Sequence, residues 1–411
     1  MNYFLRYSFF LILFPSLIFA LTAGIGKTNL TPPTGTPSAG YLERKGRGME
    51  GVNDPLEAIA LFLDNGEKSL VLCSVDHLGF PYEFVKKIRE RVQAHPDLIN
   101  CEIHIGSSHT HSGGGAYLNI PGLGESLAGI YNPKIAQFYI DQTCEAILKA
   151  YDHREPAKVG IGYGVTENLG KYRGLWPKDV TPLSNLTVIK VTHLDDTPLA
   201  LLFNYPLHPT VLTGKNLMFS ADFVGYTRKD LQDSLGAQPI YFNGAQGDII
   251  PVILNEEDRF SSCKLLAKSL AASVKEVWDA TRTSDSLEIR TEKEQYAFTP
   301  QATPSGLRFP LEKYETEINA IVLNKSHAFI TMPGELSCLY DKSLKEIASK
   351  LGFEHLSIFG LTNDAHGYII LPDSWRHKTF ESHLSFGGEN YGEETERRVE
   401  KILKDLNPMR N

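Results

Sequence analysis

Two histidines one residue apart, His109 and His111, stand in the stretch 106–115, which reads Gly-Ser-Ser-His-Thr-His-Ser-Gly-Gly-Gly. Imidazoles so placed can ligate a metal or carry a proton near neutral pH. The run Cys101-Glu102-Ile103-His104-Ile105 alternates like a half-buried strand, so the pair arrives where a strand runs out into a glycine-rich loop. Sites in α/β proteins are built at such ends. In extended chain, residues i and i+2 point to the same side, which predicts His109 and His111 facing one pocket with Thr110 facing away. A polar loop with two solvated histidines fits the same ten residues, so the rest of the chain must decide.

Other residues able to hold a metal recur at predicted strand ends. The apolar run 201–205 ends in Pro-Leu-His-Pro-Thr, placing His208 on a turn stiffened by two prolines. The run 329–332 ends in Pro-Gly-Glu, and a helical pattern follows at once; Glu335 therefore also reads as an acid favoured by a helix N-terminus. Tyr368 follows Asn363-Asp364-Ala365-His366-Gly367, again at a strand and loop boundary. Convergence of a few imidazoles and carboxylates from different elements is what a metal site requires. Ser107, Ser108 and Ser112 lie beside the histidines and could serve as nucleophiles, although hydrogen bonding within the loop explains them as well.

The elements that must position these residues predict an α/β fold, a mixed β-sheet with flanking helices in a single catalytic domain. Runs at 23–30, 58–63 and 69–75 read as strands, with Asn65-Gly66 marking a hairpin between the second and third. Helical periodicity covers 83–93, 136–151, 223–235, 258–280 and 336–350, and further strands fit 159–165, 185–192, 199–205, 239–242, 318–323 and 328–331. The stretch 113–133, rich in Gly and Pro, is too long for a simple connector and reads as a loop that lines a site. Residues 168–182, which carry Arg173 and Trp176, look irregular.

The chain has 411 residues, a formal charge of -8 and 42% hydrophobic content. That composition supports a substantial core and gives no basic footprint for nucleic acid. Residues 1–20 combine one cation, Arg6, with a short apolar run ending in small residues, as a secretory signal peptide does, leaving 21–411 as the exported domain. An uncleaved N-terminal anchor is the alternative; no cysteine lies there to take a lipid. Five cysteines are widely spaced, and Cys73, Cys101 and Cys338 lie in apolar runs where packing explains them.

Six segments together resemble the neutral ceramidases and the exported bacterial proteins that share their amidase domain. They are Ser-Ser-His-Thr-His-Ser-Gly (107–113), Asn-Tyr-Pro-Leu-His-Pro-Thr (204–210), Ser-Ala-Asp-Phe-Val-Gly (220–225), Asn-Gly-Ala-Gln-Gly-Asp (243–248), Pro-Gly-Glu (333–335) and Gly-Tyr-Ile (367–369). The resemblance implies a zinc hydrolase domain with His109, His208, Glu335 and Tyr368 as ligands to Zn²⁺ and His111 against the reacting groups. It also implies Arg173 near the substrate carbonyl, and loop-holding roles for Asp76, Asp222 and Asp248. Three departures stand out. The family's Gly-Asp-x-Ser-Pro serine, taken as a nucleophile, is Ile250; the tyrosine expected after the ligand tyrosine is Phe380; and the chain ends at Asn411 without the immunoglobulin-like C-terminal domain of the larger ceramidases.

An isoleucine cannot be acylated, so attack by a metal-activated water is the expected chemistry, its pKa lowered from about 15.7 towards roughly 7 by Zn²⁺. The expected reaction is hydrolysis of an N-acyl, ceramide-like amide, with a zinc esterase beside it, and a small-molecule or lipid substrate leaves room for contact with a membrane surface. The other reading, favoured by Ile250 and Phe380, is a degenerate protein that keeps the metal for structure or binding. The sequence has no Gly-x-Ser-x-Gly elbow, His-Glu-x-x-His helix or P-loop.

Overall fold

The computed structural model describes residues 21–407 except 167, 175 and 183. The signal peptide expected over 1–20 lies outside the described residues. In chain order the first strands are β1 (Thr22–Asn29), β2 (Gly51–Val52), β3 (Glu57–Asp64) and β4 (Ser69–Val75). Helix α1 (Tyr82–Val92), β5 (Glu102–Ser107), α2 (Gly124–Ala128) and α3 (Pro133–Asp152) follow. Next come β6 (Glu155–Val165), β7 (Gly170–Tyr172), β8 (Asn185–His193), β9 (Pro198–Tyr205) and β10 (Met218–Phe219). The middle of the chain holds α4 (Phe223–Leu235), β11 (Gln238–Asn243), β12 (Ile249–Pro251) and α5 (Arg259–Ala280). The rest is β13 (Ile289–Phe298), β14 (Tyr314–Leu323), β15 (His327–Thr331), β16 (Glu335–Leu336), α6 (Cys338–Lys350), β17 (His355–Phe359), β18 (Tyr368–Ile369), α7 (Pro372–Arg376) and α8 (Tyr391–Asp405).

Eight strands form one mixed sheet in the order β11-β9-β8-β6-β1-β3-β4-β5, and four form a second, β13-β14-β15-β17. The expected mixed sheet with flanking helices is present, and a four-stranded sheet stands against it. The reason is visible along β3, where Ala58, Ala60 and Phe62 join one apolar cluster with α1 and α3 while Ile59, Leu61 and Leu63 join another. That second cluster takes in Ile321 and Leu323 of β14, Phe329 of β15 and Phe359 of β17, so the two sheets pack face to face. A strand buried on both sides shows a continuous apolar run instead of polar alternation. On the far face of the smaller sheet, Ile318, Ala320 and Val322 pack with residues of α6 and α8. The layers therefore run helix, sheet, sheet, helix.

Local chemistry fixes the elements. Asn132 caps α3, its side chain accepting from the Lys134 amide, and Pro133 opens the helix where no amide is needed. Helix α3 rides directly on β1, because a Cβ on Gly24 would lie 2.1 Å from the Ala150 carbonyl oxygen. At the hairpin between β3 and β4, Asn65 Oδ1 accepts from the amides of Glu67 and Lys68, and Gly66 takes φ 83°. All five cysteines are free and buried, so the packing role expected of three extends to Cys144 and Cys263. Among the described residues no helix is long and apolar enough to cross a membrane.

Candidate metal centre

The loops that leave β5, β9 and β15 meet at one end of the two sheets. His109 follows β5, His208 follows β9, and Glu335 stands in β16 just beyond β15. Glu335 pairs in register with Tyr368 of the parallel strand β18. Glu335 is not the helix cap that its position allowed, since Ser337 caps α6 by accepting from the Leu339 amide.

Each of the two buried imidazoles is tethered by its Nδ1 to a backbone carbonyl. His109 Nδ1 lies 2.6 Å from the Leu78 oxygen, and His208 Nδ1 lies 2.7 Å from the Gln246 oxygen and 3.1 Å from that of Ile249. A carbonyl can only accept, so both Nδ1 atoms carry the proton and both Nε2 atoms present lone pairs. These lone pairs converge on Glu335, whose Oε2 is 2.9 Å from His208 Nε2 and 3.1 Å from His109 Nε2. Burial, followed by the positive Arg173, pushes His208 down to about 4, so it is neutral at physiological pH. A carboxylate oxygen then faces two imidazole lone pairs with no proton between them. Such an arrangement is repulsive unless a cation sits at the centre, and the donor set fits a divalent one.

His111 differs from its neighbours. Its Nε2 lies 3.3 Å from His109 Nε2, while its Nδ1 has no hydrogen-bond partner, so nothing fixes its tautomer. His109, His111 and His208 form a group whose ligand atoms lie within 4.8 Å of one another, able to hold a metal ion. Burial lowers His111 well below the ordinary imidazole value, with His109 and His208 adding to the effect. The pair does meet in one pocket, but not through extended chain. His109 takes φ 70°, a left-handed conformation uncommon outside glycine, which turns the loop so that the rings cross at 87°. Thr110 does face away, its hydroxyl donating to the Ser220 carbonyl. Gly40, at φ 102°, leaves the space that the His111 ring fills, for a Cβ there would come within 2.6 Å of Nδ1.

Arg173 arrives from the stretch read as irregular, which holds β7. Strand β7 pairs with β12, matching Ile249 to Tyr172 and Ile250 to Lys171. Arg173 Nε donates to Glu381 Oε1 at 2.9 Å, and its Nη2 donates to the Gly247 carbonyl at 2.8 Å and to the Tyr368 hydroxyl at 3.0 Å. Burial raises the Tyr368 phenol, with Glu335 next in the same direction and Arg173 opposing both. The Phe380 ring lies 4.7 Å from the Arg173 guanidinium.

The three acids bind the framework. Asp76 pairs with buried Arg228 and accepts from the Glu57 amide at 2.9 Å. Asp222 caps α4 and accepts from the Leu212 amide at 2.8 Å, tying down the loop after His208. Asp248 accepts from the Cys338 amide at 2.8 Å and from the Ser337 hydroxyl, holding the segment after Glu335. No motif marks Glu381, or Arg44, whose guanidinium is buried beneath the histidine loop and donates to the His111 carbonyl, Ser38 Oγ and Asn216 carbonyl. Ser107 Oγ accepts from the Phe80 amide at 3.2 Å and Ser112 Oγ from Asn216 at 2.9 Å, both framework contacts.

The cluster opens into a cavity of 440 Å³ whose wall includes His109, His111, Glu335, Tyr368, Arg173 and Ile250. A separate cavity of 430 Å³, at 163–165, 185–187 and 353–358, contains none of these residues.

No family model matches the chain. By structure it is similar to the neutral ceramidase from Pseudomonas aeruginosa, at a TM-score of 0.84 and 14% sequence identity over 95% of this chain and 75% of that one. A ceramidase complexed with C2 gives the same TM-score and identity over 94% of this chain and 75% of that one. At this identity the likeness establishes a ceramidase-like fold.

Proposed function

We propose that the protein is an exported zinc-dependent hydrolase that cleaves the amide bond of an N-acyl, ceramide-like lipid. The observation that carries the reading is the meeting of two tautomer-fixed imidazoles with one carboxylate, lone pair against lone pair, in the wall of a largely apolar cavity. His109, His208 and Glu335 would hold the zinc with Tyr368 beside them, and zinc in that place lowers the pKa of a water and polarises a carbonyl.

The chain's own residues supply the remaining work. Neutral His111, with a free Nδ1 and no fixed tautomer, accepts a proton at Nε2 from the attacking water and returns it to the leaving nitrogen. Arg173, set against Phe380 and held by Glu381, Gly247 and Tyr368, places its fixed positive charge beside the oxygen that gains charge in the transition state. Ile250 contributes no nucleophile and lines the cavity as an apolar surface. That last fact also favours a second reading, a binding protein that retains the metal without turnover.

Zinc-loaded protein incubated with a panel of N-acyl amides and matched esters separates these. Amide hydrolysis should be lost in His208→Ala and in His111→Ala, with zinc retained in the latter. Turnover confined to the esters would make the protein an esterase, and stoichiometric zinc with no turnover would make it a binding protein.

A further inference from the structure

The cavity around the histidines has two chemically different flanks. His109 is anchored to the Leu78 carbonyl on one of them, where Pro81, Tyr117, Leu118, Ile120 and Phe309 form the wall. Those five residues also line an adjoining cavity of 660 Å³, so the apolar wall continues outward from that side to a rim where Lys86 and Lys87 are paired with Glu83 and Lys313 stands near Glu315. His208 is anchored to the Ile249 carbonyl on the other flank, where the cavity wall holds Lys171, Ile250 and Arg259.

The second flank is cationic. Lys171 is the cross-strand partner of Ile250, so both side chains rise from the same face of the β7–β12 ribbon. The Lys171 ammonium has no hydrogen bond or ion pair among the described residues, whereas Arg259 is paired with Glu256, whose side chain is 72% exposed. Lys171, Arg173 and Arg259 face the cavity, and among the described residues the single carboxylate on its wall is Glu335, already engaged by the histidines. The neighbouring acids are committed elsewhere, Asp248 to Ser337 and Cys338, and Glu381 to Arg173. A cationic wall in a chain of net charge -8 concentrates anions locally. Lys171 and Arg173 are two residues apart, and Arg173 keeps the ribbon pairing through its amide and the Asp248 carbonyl at 2.9 Å. Their side chains thus leave the same side, roughly 7 Å apart at the backbone.

We infer that the preferred substrate is an anionic amphiphile: a long-chain N-acyl amine whose amine-side head group carries a carboxylate or a comparable anion. The acyl chain lies in the groove past Leu78, and the anion, a few bonds beyond the scissile nitrogen, pairs with Lys171 and Arg259. This rests on the amide-hydrolase reading and adds the charge of the head group to it.

The test compares N-lauroylglycine, N-lauroyltaurine, neutral N-lauroylethanolamine and cationic N-lauroylethylenediamine on the zinc-loaded full chain, wild type beside Lys171→Met, Lys171→Glu and Arg259→Gln. The expected kcat/KM favours the two anionic amides over the neutral one by about tenfold at low salt, as one or two partly screened ion pairs allow, and the preference shrinks as salt rises. Lys171→Glu should abolish or invert that ratio and Arg259→Gln should reduce it. A preference shared by both anions assigns the recognition to charge; one confined to N-lauroylglycine assigns it to the carboxylate. Equal rates for neutral and anionic amides, or a ratio unmoved by Lys171→Glu, overturn the inference. If no amide is cleaved, the hydrolase reading fails but the head-group inference is still decided, by calorimetric binding of N-lauroylglycine against N-lauroylethanolamine. Tighter binding of the anion, lost in Lys171→Glu, upholds it; equal binding overturns it.

Discussion

Two buried polar clusters sit along the path of β5, and their partners divide them. Within the strand region, Glu317 accepts from Arg89 at 2.7 Å, Asn319 at 2.9 Å, Asn363 at 3.0 Å and Tyr82 at 3.1 Å. Every neighbour of that carboxylate donates. Burial would raise it, but Arg89 and the hydrogen bond from Asn319 together outweigh that and hold it at about 2. Just beyond the strand, Glu335 faces His109 Nε2 and His208 Nε2, whose protons are on the far side of their rings. Satisfied burial of charge builds structure, and burial that leaves acceptors facing acceptors prepares a place for a cation.

The comparison breaks if the two carboxylates respond alike to substitution. Glu335→Gln should weaken zinc binding by at least about a hundredfold, beyond what loss of an outer partner costs, and abolish hydrolysis, while the melting temperature of the metal-free protein moves little. Arg89→Met should do the reverse, lowering stability by about 3–5 kcal/mol in a denaturant titration because it leaves Glu317 buried and unpaired. The folded fraction of that variant should still bind one zinc. Raising free zinc to a hundred times its dissociation constant should stabilise the wild type by about 2.7 kcal/mol, stabilise Arg89→Met equally, and stabilise Glu335→Gln by no more than about 0.4 kcal/mol under the same conditions.

Acid sharpens the contrast. Burial pushes His77 and His104 down to about 3, against about 6.5 in an unfolded chain. The unfolded state therefore binds more protons between those values, so their share of stability is full above pH 6.5 and drains as the pH falls towards 3. Asp364, which burial lifts to about 7, works oppositely: its share is full below about 4 and is lost as the pH rises through 7. Denaturant titrations of wild type and Asp364→Asn between pH 4 and 8 should show the variant gaining relative stability as pH rises. The smallest effect expected is from Ser337→Ala, about 1 kcal/mol for a lost helix cap, with a weaker hold on Glu335 seen as a modest rise in the zinc dissociation constant.

Much of this was legible in the chain itself. His109, His208 and Glu335 stand where strand patterns break into Gly and Pro, and the structure brings them together. The route to that meeting was less legible. Side-chain alternation accounts for His109 and His111 in extended chain, yet φ 70° at His109 comes from tertiary contacts that no local pattern encodes. The smaller sheet was hidden in the same way, since β13 and β17 take their stability from neighbours distant in sequence. Strands β7 and β12, three residues each, are too short for any periodicity, and they carry both Arg173's approach and the Lys171–Ile250 pair. Backbone carbonyls that set the two tautomers belong to Leu78, Gln246 and Ile249, whose side-chain identities give no hint of the task.

The most direct test of the central claim is turnover of N-lauroyl amides by the wild-type protein as isolated with zinc, after chelation, and after zinc is returned. Hydrolysis should disappear with the metal and reappear with it. Hydrolysis that persists through chelation, or full zinc occupancy with no cleavage of any acyl amide, would contradict it.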